Sequence, residues 1–242
     1  FCLEGRSWRK DYYKPYKAQR KAAQEAKSIR EQEEDKIMFE AYDDLIQFLD
    51  KKTNVTLLQN KNAEADDMIA LFIASHPNDQ HIIVSSDSDY QQLLAPNVRI
   101  YDGVQNRIIT LEGFFKDDKD MTPIKDKKTK EPKQLGDPQW LLFEKCIRGD
   151  TSDNVFSACP GARKKGTKNK VGLLEAYDDM STKGFNWNNM MLQRWTDHED
   201  KEHRVLDDYN RNKQLIDLTQ QPEEIKDRVD KFIHEQLSNK DV

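Results

Sequence analysis

The chain is poor in the residues that build covalent chemistry and nucleotide cradles. It has three cysteines in 242 residues, Cys2, Cys146 and Cys159, isolated and without a CxxC spacing. Neither a disulfide framework nor a thiolate metal site is indicated, and a reducing compartment, the cytoplasm, is expected. Its nine glycines form no P-loop and no GxGxxG turn, which removes the common loop signatures of phosphate-binding folds. His81, His198, His203 and His234 are scattered, with no serine or cysteine partner in an evident nucleophile motif. No apolar run approaches the roughly 18 residues a membrane helix needs, and no signal-peptide core is visible.

What is abundant is charge. Charged residues make up 34% of the chain against 36% hydrophobic, with 39 bases, 44 acids and a formal net charge of −5. The sign of the total misleads, because the bases are segregated. Residues 1–30 carry nine bases against three acids, and Arg163, Lys164, Lys165, Lys168 and Lys170 fall in a stretch with no acid. Basic patches beside acidic ones suit a site where phosphate and metal meet.

Seven carboxylates arrive in three packets: Glu64, Asp66 and Asp67; Asp87 and Asp89; Asp150 and Asp153. Crowded carboxylates raise one another's pKa unless a cation neutralises them. Hard divalent ions prefer such oxygen donors and keep several waters. Each packet also has an ordinary reading: helix-start acids for the first, turn caps for the second, a solvated loop for the third. Asp87-Ser88-Asp89 lacks the glycine and closing glutamate of an EF-hand.

The pattern along the chain predicts an α/β protein. Phe1-Cys2-Leu3 reads as the end of a buried strand, with an expectation that the natural chain extends upstream or that another piece supplies the missing strand. A charged helix is predicted over 18–49, with an amphipathic second half (Ile37, Met38, Ala41, Leu45, Phe48, Leu49) packing on a core. A strand is expected at 55–58, a helix from an Asn62 cap to Ala74, and a buried strand at 82–84 delivering Asp87 and Asp89. A hairpin follows around Asp102-Gly103, then a surface loop over 116–133. Helices are predicted at 138–147, 170–178, 187–196, 199–215 and 222–237, so that the second half is mostly helical. The division expected is 1–137 for an acidic core and 138–242 for a helical part.

The packets Glu64-Ala65-Asp66-Asp67, Ser86-Asp87-Ser88-Asp89 and Gly149-Asp150-Thr151-Ser152-Asp153-Asn154, in this order and spacing, resemble those of the structure-specific 5′ nucleases. That group includes flap endonucleases, the 5′-nuclease domain of DNA polymerase I, and phage exonucleases of the ribonuclease H type. Gly5-Arg6-Ser7-Trp8-Arg9 and Tyr16-Lys17-Ala18-Gln19-Arg20 are similar to the family's basic stretch. Tyr209-Asn210-Arg211-Asn212, Leu215-Ile216-Asp217-Leu218 and Pro222 look most like the phage branch. The resemblance implies a mixed-sheet, PIN-like α/β nuclease core with a helical arch at about 6–36. It also implies a helical duplex-binding part with a helix–turn–helix variant near Pro160-Gly161 and Lys170–Leu174. It implies two Mg²⁺ ions, with Mn²⁺ as substitute, on the seven acids, and K⁺ at the duplex-binding motif. Arg6 and Arg9 would oppose the scissile phosphate; Lys17, Arg20 and the 163–170 bases would hold nucleic acid. The implied activity is 5′→3′ exonuclease or flap endonuclease on DNA or RNA–DNA, in primer removal during phage replication, in the host cytoplasm. A single-strand-binding protein or clamp would be the partner. Two departures stand out: the family's first-strand Asp has no counterpart here, and only Glu4 falls near a further expected Asp. The alternative is a catalytically incomplete DNA-binding module or one piece of a split nuclease.

Overall fold

The structure, a computed structural model, describes residues 1–238, in two compact units. The first comprises residues 1–75, 152–154 and the C-terminal segment from Gln221; the second comprises 76–151 and 155–220. The units interleave along the chain, unlike the expected division at 137/138.

In the first unit, strand β1 (Cys2–Leu3) pairs in parallel with β2 (Leu58–Gln59). Gly5 lies two residues beyond β1, and a Cβ there would lie 1.9 Å from the Asn60 carbonyl oxygen, so only glycine admits this approach. Helices α1 (Arg9–Tyr12), α2 (Ala18–Glu25) and α3 (Ile29–Lys52) come between the two strands, and α4 (Ala65–Ser75) follows them. The last helix of the chain, Glu223–Ser238, joins the core of this unit. Its Val229 and Ile233 cluster with Leu58, Ala63 and Met68, which is why the C-terminal segment belongs here.

The single helix expected over 18–49 is two. Ser28 breaks it by forming a capping box: its Oγ accepts the Glu31 N–H, and Glu31 Oε2 accepts the Ser28 N–H at 2.8 Å. A further correction concerns packing. No residue of α3 is buried; Ile37, Met38, Leu45 and Phe48 lie at the surface, Phe48 being 56% exposed. Periodicity reported an apolar face, but no element among the described residues buries it.

The second unit holds a mixed four-stranded sheet in the order β3 (His81–Val84), β4 (Val98–Asp102), β5 (Arg107–Thr110), β6 (Gly113–Lys116). The β3–β4 pair is parallel and the others are antiparallel. Asp102 closes the β4–β5 turn by accepting the Val104 and Gln105 N–H groups and Arg107 Nε. β3 is only half-buried: His81 and Ile83 face inward, while Val84 is 73% exposed. The expected buried strand is therefore an edge strand with one wet face. Strand β6, just ahead of the expected loop, was not anticipated.

Helices α5 (Pro138–Arg148), α6 (Leu173–Asp178), α7 (Phe185–Met191) and α8 (Val205–Ile216) complete this unit. Phe143 lies within 6.1 Å, centroid to centroid, of Trp140, Tyr177, Trp187 and Tyr209, an aromatic cluster that ties α5 to the other three. Asn212 Nδ2 donates to the Cys146 and Phe156 carbonyls, satisfying a polar group with no exposure. A hairpin of β7 (Arg194–Thr196) and β8 (Glu202–Arg204) stands where helix was expected. Asp197 enforces the turn by accepting the Glu199 and Lys201 N–H groups. Among the described residues, no helix is long and apolar enough to cross a membrane.

Candidate active site

The acids divide between the units, and a basic side chain closes on carboxylates in each. In the first unit, the start of α4 presents Glu64 and Asp67, both buried. The Glu64 N–H donates to Asp67 Oδ2 at 3.1 Å, so the helix opens on its own acid rather than on the expected Asn62. Helix-start position favours both negative charges.

Four donors converge on Glu64: Ser7 Oγ at 2.6 Å, Arg9 Nη1 at 2.9 Å, Tyr16 Oη at 3.2 Å and Lys17 Nζ at 2.5 Å. Burial works against the Glu64 charge, but Lys17 and Arg9 outweigh it and hold the carboxyl below its usual range. Asp153 joins the same cluster by accepting Tyr16 Oη at 3.0 Å and Arg20 Nη2 at 2.8 Å, with Lys17 Nζ 3.7 Å away. Lys17 has a left-handed backbone, φ 53°, and its N–H donates to the Asp153 carbonyl. Burial, and next the Glu64 charge, push the Tyr16 hydroxyl far above its ordinary value, so it serves as a donor.

Arg9 departs from the expectation that it opposes a phosphate. It is 1% exposed and committed to Glu64 and Asp67, meeting Asp67 through Nη1 to Oδ2 at 2.9 Å and Nη2 to Oδ1 at 2.8 Å. Trp8 also donates to Asp67 Oδ2. The pair is part of the core, because a buried guanidinium and a buried carboxylate each need the other. Arg6, by contrast, is exposed and pairs with Asp11 at 2.5 Å. Asp66 is half-buried in the first turn of α4. Glu4 is exposed, with Oε2 3.4 Å from the Ala65 N–H.

In the second unit, Asp87 caps the 3₁₀ helix Ser88–Leu93 by accepting the Asp89 N–H at 2.8 Å. Lys145 of α5 reaches Asp89 and lies 2.8 Å from Asp150 Oδ2. Burial, then the neighbouring charges of Asp87 and Asp150, raise the Asp89 carboxyl despite the lysine. Burial would lower the Lys145 ammonium; Asp89 and Asp150 overcome it and raise it. Gly149, at φ 79°, ends α5, and a Cβ there would sit 2.3 Å from the Val155 carbonyl. That close turn lets Asp150 and Val155 exchange N–H···O bonds at 2.8 and 2.7 Å. Asp150 is thus held by a bridged turn.

The basic loop also belongs to the second unit. Arg163, Lys164, Lys165, Lys168 and Lys170 are all exposed. Glu175 ties the loop by accepting the Gly166 and Gly172 N–H groups at 3.0 Å, and a cavity of about 340 Å³ lies inside it.

Among the described residues, no three His, Cys, Asp or Glu side chains are grouped to hold a metal ion. The donor chemistry still fits a hard cation, since carboxylate pairs suffice where an ion keeps its waters. The lysine ammoniums already seated against Glu64 and Asp89 show that each cluster accepts positive charge.

The family model for the 5'-3' exonuclease N-terminal resolvase-like domain matches residues 1–126. The chain belongs to this family. The match contains Glu64, Asp66, Asp67, Asp87 and Asp89 but stops short of Asp150 and Asp153. A relative, DNA polymerase I of Rhizobium leguminosarum, is 29% identical over 184 residues, 75% of this chain and 15% of that protein. The 5'-3' exonuclease of Mycoplasmopsis pulmonis is 30% identical over 180 residues, 74% of this chain and 51% of that protein. The chain therefore spans about half the length of one relative and much less of the other. The bacteriophage T5 flap endonuclease, solved as a complex with DNA and metal ions, shares the fold with a TM-score of 0.66 at 19% identity. That likeness covers 99% of this chain and 82% of the phage protein.

Sequence reasoning missed Ser7, Tyr16 and Lys145. Tyr16 stood in the quoted basic stretch, adjacent to Lys17. Lys145 carried no signal beyond lying on the helix that leads into Asp150.

Proposed function

We propose that this chain is a divalent-metal-dependent nuclease acting at 5′ ends, as a 5′→3′ exonuclease or flap endonuclease on DNA or RNA–DNA. The observation that carries the reading is the buried Glu64 cluster within the family-matched segment, where Lys17, Arg9 and Tyr16 all donate to one carboxylate. Such a density of donors holds an anionic centre in place inside the fold. The support from relatives is their names, and for the phage protein its structure with DNA and metal ions.

Within the first unit Glu64, Asp66 and Asp153, and within the second Asp87, Asp89 and Asp150, would each be donors to metal, Mg²⁺ or Mn²⁺. When bound, it would supply positive charge to the scissile phosphate and acidify the attacking water. Asp67 is spent on Arg9, and both act by fixing Glu64. Tyr16 donates to Glu64 and Asp153 and orients both. Lys17 carries a charge that a phosphate can share, and exposed Arg6 and Arg20 can meet a substrate backbone. Arg163, Lys164, Lys165, Lys168 and Lys170 would grip duplex phosphates without reading sequence, with K⁺ a candidate ion for the loop. Primer removal in phage replication, with a clamp or single-strand-binding partner, is the setting this reading favours.

A second reading is a DNA-binding module with an incomplete catalytic set, or one piece of a split nuclease; the apolar side chains of α3 and β3 at the surface favour the split form, since a partner piece could cover them. Cleavage of a 5′-labelled flap duplex separates the two. Cutting with Mg²⁺, abolished by EDTA and by Asp87→Asn/Asp150→Asn, supports the nuclease. Salt-sensitive binding without cutting under any divalent ion supports the module.

A further inference from the structure

Asp89 and Asp150 come from two different packets, 61 positions apart in sequence, and one ammonium bridges them. Lys145 reaches this position from the last turn of α5, where cationic side chains are favoured by the helix dipole. It also borders a cavity of about 260 Å³ lined by Asp89 itself, Ser88, Gln91, Gln92 and the apolar Leu141 and Leu142 of α5. The lysine therefore has an alternative place to go. Swung into the cavity, its ammonium would leave Asp150 and move toward the start of α5, near the Ser88 hydroxyl and the Gln91 amide.

We infer that Lys145 is a tethered cation of the Asp89–Asp150 pair, so that a divalent ion enters the pair only by displacing its ammonium. This rests on the reading of Asp89 and Asp150 as metal donors. The argument is electrostatic. With the ammonium in place the three groups carry a net charge of −1; without it the two ionised carboxylates carry −2. A divalent ion approaching within about 4 Å meets repulsion from the ammonium until the lysine leaves. The pair is thereby kept partly neutralised when metal is scarce, and its affinity is set lower than that of two bare carboxylates.

The test is Mn²⁺ titration of the full chain without nucleic acid, read by the electron paramagnetic resonance signal of free Mn²⁺. Four proteins are compared with the wild type: Lys145→Met, Lys145→Gln, Lys145→Arg and Asp89→Asn/Asp150→Asn. Removing the charge should tighten the site by about tenfold or more in both the Met and Gln variants, while Arg should leave it near wild type. The Asn double variant should lose that class of ion. If the Met and Gln variants bind as the wild type does while the Asn variant loses the ion, the carboxylates are ligands and the tethered cation is refuted. If the Asn variant binds as the wild type does, the ligand reading itself fails, and this inference falls with it.

Discussion

Arg9 and Asp67 form a two-point ion pair from which solvent is excluded on both sides, with N···O distances of 2.9 and 2.8 Å. The pair joins α1 to the first turn of α4, and Glu64 shares the same guanidinium. A charge buried in this way is held by its partner, so losing one member leaves the other unpaired in a poor solvent. Arg9→Met is expected to destabilise the chain by about 3–5 kcal/mol, and Asp67→Asn by a comparable amount. The double variant Arg9→Met/Asp67→Leu should cost much less than the sum. Urea unfolding of the three variants measures this; additive losses would show that the two side chains do not act as a pair.

The exposed face of α3 makes the opposite prediction. Phe48 and Leu45 are large, apolar and at the surface. Phe48→Glu should therefore change unfolding free energy by no more than about 0.5 kcal/mol, whereas a core phenylalanine truncation costs several. A loss of more than about 2 kcal/mol in the same urea assay would mean that the face is covered in solution.

Acid stability should carry the mark of Asp197. His203, then the Lys201 N–H, hold its carboxyl down to about 2, against about 3.9 for a free aspartate. A carboxyl depressed in the folded state contributes stability that is fully present above the unfolded value. That contribution fades as pH falls through the folded value. The stability gap between wild type and Asp197→Asn should be constant above about pH 5 and shrink between roughly pH 4 and 2. Thermal melts at closely spaced pH values give the gap; a gap that widens toward low pH would contradict the sign.

Duplex affinity should depend steeply on salt if the 163–170 bases contact phosphates. Lys165 and Lys168 are both exposed on that loop. The variant Lys165→Ala/Lys168→Ala should reduce the slope of log affinity against log salt by about 1.8 in magnitude, roughly 0.9 for each phosphate no longer neutralised. Fluorescence anisotropy with a labelled duplex at several salt concentrations reads the slope. An unchanged slope would place the duplex elsewhere.

The acid packets and the basic stretch were legible because they are a matter of residue type and spacing. Glu64, Asp67, Asp89, Asp150 and Asp153 all fall into clusters with cationic partners. The start of α5 is set by Asp137, whose Oδ1 accepts the Gln139 N–H, and the β4–β5 hairpin by Asp102-Gly103, local signals that act within a few residues. The β7–β8 hairpin was missed because its strands are three residues long and polar, so period and propensity say little; the Asp197 turn was the only cue.

The sequence by itself determined which groups are available and in what order: three acid packets, a basic stretch and a basic loop, on alternating apolar and charged segments. Only the tertiary structure decided how they pair. It buried Arg9 against residues 55 and 58 positions away, set Lys145 between Asp89 and Asp150, and left the apolar side of α3 uncovered. The physical reason is that helix and strand formation are governed by neighbours a few residues apart. Ion pairing and burial depend on distance through space, which chain order does not fix.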